Sequence, residues 1–216
     1  DKDTLEKLSH AHDYAMAMKN GTLAILVLAN KNYFAIDSLW QQDLSDASEN
    51  MLENARERFE KAGKQAHLVC QELEDIDMYG AYDIVFCTLD TVNHILSLRG
   101  LRTFFKSLFN FTEPGGSFVF DIKTKAAFET STMPNVCEKD GDMLIVRGQF
   151  DGTYAWYDLT AFEQTENGYE RFDDSVEERF YTEETIKETL KAAGFAYADS
   201  IKRKERIIYC ARKREQ

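Results

Sequence analysis

Two stretches of the chain are apolar on both faces: YDIVFCTL at Tyr82–Leu89 and SFVFDI at Ser117–Ile122, with an amphipathic stretch at Leu96–Phe111 between them. A strand with one wet side alternates apolar and polar residues, so an unbroken apolar run implies burial on both sides. Two such strands joined through a helix read as part of a parallel sheet covered by helices, because a parallel crossover needs a long connection. TEPGG closes the helix. Upstream, AHLVCQEL reads as another strand of the fully buried kind and leads into an acidic turn.

The flanks extend the pattern. Asp46–Ala62 is the clearest helix: Ser48 can cap it, Met51, Leu52, Ala55 and Phe59 form its stripe, and Gly63 stops it. Residues 1–20 have helix-like spacing at Leu5, Leu8, His12 and Ala15. Thr22–Lys31 is compatible with helix or strand, and Tyr33–Asp37 with a short strand. After Lys123 the pattern alternates and carries an Asn167–Gly168 turn, which indicates antiparallel strands. Thr182–Ala193 reads as a helix whose Glu183 and Glu184 suit its N-terminal dipole and whose stop is Gly194, before a final strand, RIIYCARK. The expected fold class is α/β: a Rossmann-like, doubly wound, mostly parallel sheet with a C-terminal antiparallel β insertion. Its expected parts are a cofactor-binding core at 1–122, the insertion as a substrate lid at 123–181, and a last helix and strand at 182–216 that complete the core.

Composition narrows the partners. With 38 acidic and 26 basic residues the formal charge is −12, which repels phosphate backbones and argues against nucleic acid. The one basic run, KRKER at Lys202–Arg206, precedes the apolar IIYCA and reads as a charged loop entering a strand. The four cysteines form no CxxC pair, so zinc and redox motifs are unsupported, and Cys70, Cys87 and Cys210 read as buried thiols of a reducing compartment. The longest apolar run, Leu23–Ala29, is too short to span a bilayer; no signal peptide is read, and the expectation is a cytoplasmic chain without membrane contact.

In open parallel sheets the ligand lies beyond the carboxyl ends of the strands, near the switch in strand order. That singles out Asp46 with Ser48, Gln71 with Glu72, Cys87–Asn93, and Asp121. A carboxylate after the second strand can accept both hydroxyls of a ribose, and another after the third can accept from an adenine amino group. The constellation fits an adenosine-bearing cofactor without separating nicotinamide cofactors from others.

DASENMLENARERFEKAG, LVCQELEDIDMYGAYDIVFCTLDTVNHI, EPGGSFVFDI, AGF and ERIIYCARK resemble, in that order, the class I S-adenosylmethionine-dependent methyltransferases. The likeness is to a small bacterial subgroup with a β-rich insertion before the last helix, and it runs from Asp46 to Lys213. It implies S-adenosylmethionine as cofactor and methyl transfer as the activity. It assigns Asp46 of the D-x-S-x-x-M-L motif to the ribose, with Ser48 and Met51 beside it, and Glu72 with Gln71 and the Leu73 backbone to the adenine. Cys87–Leu89 line the methionine side, and Asp90, Asn93 and His94 are the candidates near the transferred methyl. Each has a plainer reading. Asp46 is also a polar residue before a cap, Glu72 a solvated member of an acidic run, His94 a structural histidine and Cys87 a small apolar residue. The insertion, with Tyr154, Trp156, Tyr157 and Phe162, roofs a substrate site or packs as a small core of its own. Tyr157 and Arg179 are its substrate candidates, and Arg179 alternatively pairs with Glu177, Glu178 or Glu183.

The family pattern also calls for a GxGxG loop after the first strand, where a bare backbone approaches the cofactor. Only Gly21 stands in that region. If Gly21 ends the loop, Thr22–Lys31 is the next helix and Tyr33–Asp37 begins the second strand, which makes Asp37 and Asp43 rivals of Asp46 for the ribose. YFAIDSLWQQD also resembles a segment that covers the cofactor in the subgroup. Three accounts compete: stretches are missing from the sequence as written, Thr22–Ala29 is itself the first strand with NKN as a degenerate loop, or cofactor binding has been lost. Two functions follow, a methyltransferase acting on a small molecule and a non-catalytic relative serving as a binding or scaffold protein. A nicotinamide-dependent oxidoreductase is disfavoured, since no G-x-G-x-x-G occurs. The oligomeric state is not legible.

Overall fold

Among the described residues, short strands, the central ones apolar, build a seven-stranded sheet, and a longer, alternating region builds a separate four-stranded one. The computed structural model describes residues 26–29, 43–46, 49–61, 63, 67–78, 80–139 and 141–215. The first sheet contains β1 (Leu26–Ala29), β2 (Asp43–Asp46), β3 (His67–Cys70), β4 (Tyr82–Cys87), β5 (Thr112–Lys123), β10 (Ala196–Lys202) and β11 (Arg206–Arg212), in the order β10-β11-β5-β4-β1-β2-β3. The second contains β6 (Asn135–Lys139), β7 (Asp142–Phe150), β8 (Tyr154–Thr165) and β9 (Gly168–Arg179), antiparallel throughout. Helices α1 (Glu49–Lys61), α2 (Leu98–Phe111), α3 (Lys125–Thr130) and α4 (Glu183–Ala193) lie between them in sequence.

The helices start and stop for local reasons. Ser97 accepts from the Gly100 N–H at 2.8 Å and caps α2, so the helix begins two residues later than the apolar spacing alone suggests. Thr182 accepts from the Thr185 N–H and caps α4, and Gly194, in the left-handed region at φ +113°, ends it. One face of α2 drives Leu101, Phe104, Phe105 and Leu108 into the sheet, where Phe118, Phe120 and Tyr209 stack along β5 and β11. Phe105 meets Phe118 edge-on with ring centroids 5.5 Å apart. Each buried ring of this kind contributes roughly 1.5–3 kcal/mol, and Ile186 and Leu190 of α4 complete the same core. Val119, Ile208 and Cys210 point to the sheet's other side.

The sheet is not mostly parallel. Among the described residues, parallel pairing is confined to β2 with β3 and β4 with β5. At one end β10 and β11 form a hairpin, and a three-residue link of Arg203–Glu205 can join strands only antiparallel. β10 is absent from the sequence reading because ADSIK is too polar to show as a strand. In the middle, β1 runs antiparallel to both β2 and β4. Leu-Val-Leu-Ala has no polar side to bias its direction, so either orientation satisfies the ladder. Of the two readings of Thr22–Lys31, the strand holds over Leu26–Ala29. Pro114–Gly116, read as a turn, lies inside β5, next to a register irregularity between Tyr82 and Ile84. The expected N-terminal helix, the Tyr33–Asp37 strand, Gly21, Asp37 and Ser48 lie outside the described residues.

Candidate functional site

Parallel register brings the expected carboxylate positions to one edge. Asp46 ends β2 directly across from Cys70, which ends β3. Leu26 of β1 faces both Ser45 and Cys87, so β2, β3 and β4 all end along the same side of the sheet. Past β3, Gln71 closes the following loop on itself: its Oε1 accepts from the Asp77 N–H at 3.1 Å and its Nε2 lies 3.3 Å from Met78 Sδ. Glu72 is exposed in extended backbone ahead of a 3-10 turn, Leu73–Asp75, and its side chain does not cap that turn. Leu73 packs against the main core. Met51 is the third residue of α1.

β4 ends in an unusual turn. Leu89 and Asp90 both have positive φ, +62° and +57°, although neither is glycine. The turn is closed by Thr91 Oγ1 donating to the Thr88 carbonyl at 2.6 Å and by the Asn93 N–H donating to the Asp90 carbonyl at 2.7 Å. A second 3-10 turn, Thr91–His94, follows. Asn93 is fully buried and both ends of its amide are used: Nδ2 donates to the Arg179 carbonyl at 2.8 Å, and Oδ1 accepts from the Lys123 N–H at 2.9 Å. It stitches β4, β5 and β9 together. Cys87 is buried, and desolvation followed by the nearby Asp121 charge pushes its thiol far above the ordinary value.

Around this turn sits a cluster of charges. Asp90 is ion-paired to Lys123 Nζ at 2.8 Å and to Arg206 Nη1 at 2.7 Å. Arg206 Nη1 also meets Asp121 Oδ2 at 2.5 Å, and Lys123 Nζ meets both oxygens of Glu178 at 2.7 Å. Burial works to raise the Asp90 carboxyl, but Lys123 and Arg206 outweigh it and hold it below the usual carboxylate range. Burial likewise works to lower Lys123 and Arg206, and their carboxylate partners raise both. His94 is exposed, with Nε2 3.9 Å from Glu178 Oε1.

The two insertion residues expected to meet substrate have protein partners. The Tyr157 hydroxyl is 2.9 Å from the Ser131 hydroxyl and its ring lies 5.1 Å from Lys123 Nζ. With Phe128 and Ala155 it forms a small core to which Phe150 and Phe180 are added, while Trp156, named with it from the sequence, is exposed. Arg179 pairs with none of the three glutamates expected; its Nη1 donates to the Leu96 carbonyl at 2.8 Å and to the Tyr154 hydroxyl at 3.2 Å. Beside Lys123 a cavity of about 420 Å³ opens between Thr124, Phe180, Tyr181, Glu183 and Lys202. It lies at the ends of β5 and β10, which their register puts on the same edge of the sheet as the end of β4, several strands across from Asp46 and Cys70.

Lys123, Arg206 and Glu178 are the site residues that sequence reasoning passed over. The available signal was a charge abutting an apolar strand: Lys123 follows SFVFDI and Arg206 opens RIIYCAR. No run of three or more metal-binding side chains gathers among the described residues, and no described helix is long and apolar enough to cross a membrane.

A family model described as a methyltransferase domain matches residues 29–116. The chain is 28% identical over 158 residues to the "Putative methyltransferase YqeM" of Bacillus subtilis (strain 168). It is 23% identical over 163 residues to a protein of the same description from Geobacillus sp. (strain WCH70). Each match takes in 69% of this chain but 62% and 63% of the relatives, so the chain spans less than two thirds of their length. Among solved structures, an S-adenosylmethionine-dependent methyltransferase from Clostridium acetobutylicum superposes with a TM-score of 0.72 at 27% identity, over 79% of this chain and 74% of that one. The CcbJ methyltransferase from Streptomyces caelestis shares the fold at 16% identity, with a TM-score of 0.65 over 79% and 73% of the two chains.

Proposed function

We propose that this chain, which belongs to the class I S-adenosylmethionine-dependent methyltransferase family, binds that cofactor and moves its methyl group to a small-molecule acceptor by in-line transfer. The carrying observation is the register that sets Asp46 beside Cys70, with Glu72 two residues on and the end of β4 along the same edge.

The residues on that edge fit the adenosine end of the cofactor. Asp46 would hold the ribose and exposed Glu72, with the Leu73 backbone, the adenine. The methionine end would lie against Cys87–Leu89. The bound sulfonium supplies an electrophilic methyl, so the protein's task is alignment and exclusion of water more than bond-making. Of the three candidates near the methyl, Asn93 is committed to backbone groups and Asp90 to two cations. His94, exposed beside Glu178, is therefore the group we assign to hold or accept the acceptor's proton.

One part does not fit. The backbone leaves β1 at Ala29, opposite Ile84, at the far edge of the sheet from Cys87. A loop after β1 therefore does not start where the family's glycine-rich loop does. This observation favours the second reading, a non-catalytic relative that serves as a binding or scaffold protein. Calorimetric titration with S-adenosylmethionine and S-adenosylhomocysteine separates the two. Saturable micromolar binding, weakened about 10- to 100-fold in Glu72→Ala by loss of a charge-assisted hydrogen bond, supports the transferase. A folded chain that binds neither supports the scaffold.

A further inference from the structure

The left-handed pair Leu89–Asp90 persists only if its surroundings over-determine it, since β-carbon-bearing residues rarely adopt this backbone. Its surroundings form a closed ring. The Asp90 N–H donates to Asp121 Oδ2 at 3.2 Å; the same oxygen accepts from Arg206 Nη1; and that same nitrogen donates to Asp90 Oδ1 at 2.7 Å. Backbone and side chain of one turn residue are thus held through a single guanidinium nitrogen. Asp121 comes from β5 and Arg206 from the start of β11, where it lies across from Lys123 in register. Lys123 takes the other Asp90 oxygen, but it is shared with Glu178 on β9 and does not touch the backbone of the turn through Asp121.

We infer that Arg206 is a positioning residue for the methyl-transfer site: by closing the ring through Asp90 and Asp121 it keeps the Leu89–Asp90 turn left-handed and so sets the face that the end of β4 presents to the methyl donor. The inference rests on the reading above that this edge takes the cofactor. Arg206 touches neither donor nor acceptor in this account; it acts through the turn. A lysine in its place keeps a cation with three N–H donors for the two carboxylates, whereas methionine or glutamine removes the charge.

The test has two readouts on Arg206→Met, the milder Arg206→Gln and the conservative Arg206→Lys. Crystal structures report the φ angles of Leu89 and Asp90, and calorimetry with S-adenosylhomocysteine reports affinity, with circular dichroism confirming the fold. Expected are a relaxed turn and on the order of tenfold weaker binding in the Met or Gln variant, as the competent turn is depopulated, with recovery in Arg206→Lys. Positive φ at both residues and wild-type affinity in a folded Arg206→Gln overturns the inference and leaves the cofactor reading standing. Wild-type protein that binds no S-adenosylhomocysteine overturns that reading, and with it Arg206's role in transfer, whatever the turn does.

Discussion

The Lys123 ammonium lies 2.7 Å from both carboxylate oxygens of Glu178, joining the last residue of β5 to the penultimate residue of β9. Through this contact and the Asn93 amide, the two sheets meet at the end of β4, where the methyl donor is proposed to sit.

Removing one partner of a buried ion pair strands the other. Lys123→Met leaves Glu178 without its close cation and Asp90 with Arg206 alone, in a largely buried site. The expected loss is about 3–5 kcal/mol in urea unfolding. Adding Glu178→Gln recovers part of that loss, because the second change removes a charge the first left uncompensated. Additive effects of the two substitutions contradict the pairing.

Asp90 predicts an acid limb. Its folded-state pKa is depressed, so its stabilisation is complete above the unfolded value of about 3.9 and is lost as pH falls through the lower folded value. Unfolding free energy measured from pH 6 downward is expected to fall less steeply below about pH 4 in Asp90→Asn than in wild type. Parallel curves sink the assignment. Lys123, raised by its carboxylates, acts in the opposite sense: its contribution is present below the ordinary lysine value and disappears as pH rises through the higher folded one.

Thiol reactivity separates the cysteines by burial. Cys70 and Cys137 are exposed, whereas Cys87 and Cys210 are buried with thiols pushed up by desolvation. A chromogenic disulfide reagent is expected to modify Cys70 and Cys137 in the native protein and the other two only after denaturation. Fast labelling of native Cys87, mapped by mass spectrometry, refutes the buried end of β4. The exposed Cys70 also corrects the sequence expectation that placed it in the interior.

Gly148 is where β7 passes the end of α3. A β-carbon there sits 2.2 Å from the Ser131 carbonyl oxygen, a backbone atom that cannot swing aside. Gly148→Ala is expected to displace Ser131 from the Tyr157 hydroxyl and to cost about 1–3 kcal/mol of stability, the range for overpacking. Thermal melts of Gly148→Ala and Ser131→Ala measure it, with the first expected to be the more damaging. An unshifted melt for Gly148→Ala contradicts the close approach.

Much of the fold was legible before any tertiary contact. YDIVFCTL and SFVFDI announce strands buried on both faces, Thr182 and Gly194 bound a helix, and the alternation after Lys123 with its Asn-Gly turn announces antiparallel pairing. These signals are local: a cap, a turn or a two-residue period is complete within a few positions of chain. The family likeness is legible for the same reason, being carried by contiguous stretches.

Direction and partnership were not legible. Nothing in Leu-Val-Leu-Ala says which way β1 runs between β2 and β4, since its apolar side chains suit either orientation. Nor does the KRKER run show that Arg206 turns inward to Asp121 and Asp90, which lie 85 and 116 positions earlier. The sequence by itself determined the strongly apolar strands, the capped helices and the family they resemble, because those signals depend on neighbouring residues. The tertiary structure alone decided how the strands are threaded and which charges neutralise one another, because a buried charge is satisfied by whatever the fold brings within a few ångströms, and chain spacing does not encode that distance.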